Sequence, residues 1–77
     1  MDERYVLLTK VWGEIEAELL AGFLEGEGIP AQKRTQVPHS VYPLTVNGLA
    51  EVEILVPESL LPLARETLRA FKLNRDG

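Results

Sequence analysis

Residues 16–31, EAELLAGFLEGEGIPA, read as an amphipathic helix, a glycine stop and the entry to a strand, and this succession decides the architecture. Gly28 marks the end of the helix, and Pro30 two residues later prevents its continuation. Gly13 and Glu14 lead in, so the helix is predicted over about 13–27. At about 100° per residue Ile15, Ala17, Leu19, Leu20, Ala21, Phe23 and Leu24 sweep roughly 240°, wider than one sheet-facing stripe requires. One edge of the helix is therefore expected to cover something else, and Ile15, Leu19 and Phe23 are the candidates for self-association. Glu14, Glu18 and Glu25 form the narrow polar face, and Glu16, inside the apolar arc, is placed at its rim. Gly22 and Gly26 fall near Ile15 and Leu19 on a face that permits close backbone packing.

Outward from this helix the pattern changes period. RYVLLTKV at 4–11 is apolar at both parities and predicts a strand covered on much of both faces. Trp12, at the strand-to-helix corner, is expected to close the end of the core. PAQKRTQV at 30–37 is a polar strand with the composition of a sheet edge. QVPHSVYPLTVNG at 36–48, with Pro38, Pro43 and the Asn47-Gly48 turn signal, predicts a long connection with a short strand around Leu44–Val46. AEVEILVP at 50–57 alternates cleanly, placing Val52, Ile54 and Val56 on one face and Glu51, Glu53 and Leu55 on the other. Pro57 ends that strand, Ser59 is the expected cap of a second helix, and Pro62 sits in its first turn. Leu60, Leu61, Ala64, Leu68 and Phe71 form its core stripe, with Arg65, Arg69 and Lys72 on a basic flank. That flank is expected to meet the acidic flank of the first helix.

The 77 residues make a single α+β domain, with a tail expected to fray from about residue 73. The order strand, helix, strand, strand, helix is that of a ferredoxin-like plait, β-α-β-β-α, whose fourth strand is missing or reduced to a polar remnant at 72–75. In that arrangement the first strand is left as an open edge, for which a second chain or a partner's strand is the simplest cover.

With 8 Lys and Arg against 12 Asp and Glu, the formal charge of −4 argues against a sequence-independent hold on nucleic acid. No apolar run approaches the roughly 18 residues that cross a bilayer, and the N-terminus has no signal-peptide pattern, so a cytoplasmic location is expected and a membrane partner is not. The absence of cysteine removes thiolate metal sites, cysteine nucleophiles and disulfides. The single histidine, His39, lacks a nucleophile and an orienting partner, so no catalytic residue, metal ligand or cofactor site is assigned. The glycines at 22, 26 and 28 lie within or at the end of a helix, whereas phosphate-binding glycines open one. His39 and Tyr42, three apart in the long connection, together with Lys33 and Arg34 of the second strand, are the candidates for ligand or partner contact.

EAELLAGFLEGEGIPA followed by EVEILVPESLLPLARETL resembles the small bacterial domains described as prokaryotic signal-transducing proteins, a family of unknown function. The residues that carry the resemblance are Ala17, Glu18, Leu20 and Leu24, then Glu27–Ala31, Leu55–Glu58 and Ala64. The resemblance implies a PII-like plait and a small regulatory module with no established ligand or reaction. The chain is thus expected to be a non-enzymatic regulatory or protein-interaction module, a homo-oligomer or bound to a protein partner. The alternative is a sensor of the ACT or PII type for a small molecule, an amino acid or a nucleotide, near His39, Tyr42, Lys33 and Arg34.

Overall fold

The computed structural model describes residues 3–35 and 51–76. The elements are β1 (Tyr5–Trp12), α1 (Glu14–Gly26), β2 (Gln32–Thr35), β3 (Glu51–Pro57), a single 3-10 turn (Glu58–Leu60) and α2 (Leu61–Asp76). The connection at 36–50, with His39, Tyr42 and the strand expected near Leu44–Val46, lies outside the described residues.

The three strands form an antiparallel sheet in the order β1-β3-β2, covered on one face by both helices. The central strand supplies the sheet's share of the core: Val52, Ile54 and Val56 of β3 are fully buried beneath Ala17, Leu20 and Leu24 of α1 and Ala64 and Phe71 of α2. Phe23 and Phe71 close the contact between the helices, with ring centroids 5.4 Å apart and planes tilted by 55°. Among the described residues no helix is long and apolar enough to cross a membrane.

The double parity of β1 comes from a bulge, and the expectation of cover on both faces is corrected. Val6 lies opposite Val56, but after the register shift between Leu7 and Thr9 it is Thr9 that faces Ile54 and Val11 that faces Val52. Leu8 has no partner in the ladder and packs against the core, as Val11 does. Helix-facing positions are thus even-numbered before the bulge and odd-numbered after it, because one extra residue in one strand reverses its alternation. The opposite face carries Leu7 and Trp12, each nearly half exposed, so Trp12 does not close the core.

Two turns follow from glycine. Gly13, at φ 97°, reverses the chain between β1 and α1, and its carbonyl accepts the Ala17 N–H at 3.1 Å. Gly28, at φ 84°, ends α1: its N–H donates to the Glu25 carbonyl, and the next N–H, of Ile29, returns to the Leu24 carbonyl, both at 3.0 Å. This delivers Ile29 into the core.

The C-terminal half departs from expectation in two ways. The Ser59 side chain caps nothing; the turn starts directly after Pro57, and the Ser59 N–H reaches Glu3 Oε2 at 3.4 Å. Residues 72–75 are helical, part of an α2 that runs to Asp76, and supply no strand. A complete plait would place a fourth strand beside β1, so the order here differs from a plait's at that edge, and β1 has no second strand neighbour among the described residues.

Candidate interaction surface

The strand period separates Lys33 from Arg34. Lys33 lies opposite Ile54 and turns to the helical face, where its Nζ sits 3.3 Å from Glu18 Oε2 and 3.9 Å from Glu14 Oε1. Thr35, two residues on, shares that face, and its hydroxyl donates to Glu14 Oε2 at 3.1 Å. The acidic flank of α1 is therefore met by β2, and the expected pairing of Glu14 and Glu18 with the basic flank of α2 is replaced by these contacts. Arg34 turns to the other face, where Nη2 and Nε stand 2.6 and 2.8 Å from Glu53 Oε1. The two neighbouring cations thus serve different faces and do not form one site.

Glu53 is only 8% exposed, at the centre of the outer sheet face, and the Arg34 guanidinium is its charge partner. Glu51 and Glu53 share that face, as the alternation predicted, but Glu53 is held in an ion pair and buried by its central strand. Among the described residues no group of three or more His, Asp or Glu side chains is arranged to hold a metal ion.

α1 has two apolar sides with different fates. Ala17, Leu20, Ala21 and Leu24 are buried on the sheet, whereas Ile15 is 77% and Leu19 50% exposed. Phe23 lies between the two sides and is half-buried against Phe71. Of the three self-association candidates, Ile15 and Leu19 are thus left on the surface, and the Phe23 ring is used within the chain. Gly22 and Gly26 are exposed on the same outward side, at i+7 and i+11 from Ile15. A Cβ at either would meet nothing within 4 Å, so nothing in the described fold requires glycine at these positions.

The outward side of α1 is therefore a stripe of Ile15, Leu19, Gly22 and Gly26 that no charged side chain interrupts, in a chain of which 26% of residues are charged. The width of the apolar arc signalled this stripe; the sequence did not show that the glycines would face empty space. Comparison with family models, with curated proteins and with solved structures finds no match to this chain.

Proposed function

We propose that this chain is a non-enzymatic interaction module that pairs with a second copy of itself through the outward side of α1. The carrying observation is the order of residues along that stripe, two large side chains followed by two glycines with open space above them. An antiparallel copy related by a two-fold axis level with the midpoint between residues 20 and 21 sets Ile15 against Gly26 and Leu19 against Gly22, in both directions at once. Large side chains then fill the space above the glycines, which is the self-complementarity an isologous interface demands. Two glycines within a helix each cost about 0.5–1 kcal/mol relative to alanine, and close approach of a second helix supplies a reason for both.

The regulatory or signal-transducing character of the module rests on the resemblance of residues 16–31 and 51–68. The plait lacking its last strand remains the reading that best accommodates three antiparallel strands with two helices on one face.

Sedimentation equilibrium from micromolar to millimolar protein tests the pairing. Wild type is expected to dimerise, and Leu19→Glu to stay folded and monomeric, because Leu19 is half exposed in the single chain. A wild type that stays monomeric at millimolar concentration overturns the reading, and so does a folded Leu19→Glu variant that dimerises as wild type does.

A further inference from the structure

We propose that the edge of β1 from Thr9 to Trp12 takes up an extended segment of a partner protein that carries an acidic residue between apolar ones. Among the described residues no strand pairs with this edge. It lies apart from the outward stripe of α1, so its occupancy does not depend on self-association.

Two features define the occupant. The first is a cleft of about 270 Å³, lined by residues 9–11 of β1, by Glu16 and Leu20 of α1, and by Leu68, Phe71 and Lys72 of α2. No residue of β2 or β3 lines it, so it opens on the side of β1 away from β3. Lys10 stands opposite Glu53 and carries its side chain to the outer sheet face; it borders the cleft with its backbone, and the strand edge forms one wall. Val11, Leu20, Leu68 and Phe71 make the cleft apolar, and the formal charges of Glu16 and Lys72 cancel. A cleft of this kind suits an uncharged aliphatic side chain.

The second feature is the pair of side chains beside the edge on the outer face, Lys10 and Trp12, both exposed. The Glu53 carboxylate is held by Arg34, and Lys10 has no ion-pair partner among the described residues. Glu14 and Glu18 are engaged by Lys33 on β2, at the far edge of the sheet. Glu51, on β3, is two strand spacings, about 10 Å, from an added strand. The outer-face charge nearest the edge is therefore positive, in a chain whose formal charge is −4.

In a strand laid along Thr9–Trp12, alternate side chains enter the cleft and stand beside Lys10 and Trp12. The segment that fits has leucine or valine inward, a carboxylate beside Lys10 and an apolar residue beside Trp12. The β1 strand of a second copy fits less well. It has no acidic residue to set beside Lys10, and a lysine and a bulge discourage an edge strand from pairing with its own kind.

The test is an amide NMR titration of the full chain with the end-blocked hexapeptide Thr-Val-Leu-Glu-Val-Thr, and with two relatives in which Glu is replaced by Lys or Leu by Ser. The glutamate peptide is expected to give saturable shifts at Thr9–Trp12 and Leu68–Lys72 and to slow hydrogen exchange at alternate amides of Thr9–Trp12, the signature of strand pairing. The lysine peptide is expected to bind roughly threefold more weakly, as one cross-strand charge pair allows, and the serine peptide roughly tenfold, for the leucine withdrawn from the cleft. Lys10→Gln, altered at an exposed side chain, is expected to keep the wild-type melting temperature and to bind the glutamate and lysine peptides alike. No saturable shift, shifts without slowed exchange, equal binding of the serine peptide, or an undiminished preference for glutamate in Lys10→Gln each overturns the proposal. So does slowed exchange at Thr9–Trp12 that appears in the free protein as its concentration rises, which would make a second copy the occupant.

Discussion

Arg34 and Glu53 stand directly opposite each other on β2 and β3, and both Nη2 and Nε of the guanidinium reach the same carboxylate oxygen, at 2.6 and 2.8 Å. The pair is asymmetric: the Arg34 side chain is 59% exposed and that of Glu53 only 11%. Most of the cost of removing the cation thus falls on the carboxylate left behind in the sheet centre. Arg34→Ala is expected to lower stability by about 1–2 kcal/mol, within the range for hydrogen bonds to charged groups and discounted for the exposed arginine. Arg34→Lys, which keeps the charge but loses the planar fork, recovers part of this. Urea unfolding of the two variants measures the difference, and equal stability of wild type and Arg34→Ala would show that the pair contributes nothing.

Leu19 and Leu20 are neighbours in sequence with opposite environments, one half exposed and one fully buried. Leu20→Ala opens a cavity beneath α1 and is expected to cost about 2–5 kcal/mol, enough to populate the unfolded state of so small a domain. Leu19→Ala is expected to change the stability of the single chain by no more than about 0.5 kcal/mol. Both are read by thermal unfolding at low protein concentration, where association does not add to the apparent stability.

The bulge makes a sharper contrast, between Leu7 and Leu8. Leu7 lies on the outer sheet face opposite Leu55, whereas Leu8 has no ladder partner and packs on the core. Leu7→Lys is expected to be tolerated within about 1 kcal/mol, since a lysine stem lies along apolar surface with its charge in water. Leu8→Lys is expected to cost about 2–4 kcal/mol, because the ammonium would be drawn into the core side of the strand. Circular dichroism melts of both variants decide the matter, and equal tolerance would place the register shift elsewhere in β1.

How much was legible in the sequence follows from which signals are local. The helix stop at Gly28, the alternation of β3 and the core stripe of α2 are set by neighbouring residues and their period, and each is seen where the pattern put it. The apolar run of β1 was misleading because a bulge and burial on both faces leave the same composition, and only pairing with β3 separates them. The partners of Glu14 and Glu18 are hidden in the sequence for a related reason: which element flanks α1 depends on the lateral placement of β2, which no residue of α1 encodes. Lys33 and Arg34 stood together as candidates, yet their adjacent positions in an extended strand already send them to opposite faces.

The glycines give predictions of opposite sign from the same substitution. Gly28 holds φ 84°, where a side chain is strained whatever space surrounds it, so Gly28→Ala is expected to destabilise by about 1–2 kcal/mol. Gly22 is helical with nothing within 4 Å of an added Cβ, so Gly22→Ala is expected to stabilise the single chain by about 0.5–1 kcal/mol through helix propensity and a stiffer unfolded chain. If the stripe on α1 is the contact between copies, Gly22→Leu fills the space that receives Leu19 and weakens dimerisation, even though the monomer has room for the larger side chain. Stability and association then move apart in one variant, which loss of folding cannot imitate. Chemical denaturation at low concentration and sedimentation at high concentration, performed on Gly22→Leu together, separate the two. A variant that dimerises as tightly as wild type would show that Gly22 faces no partner.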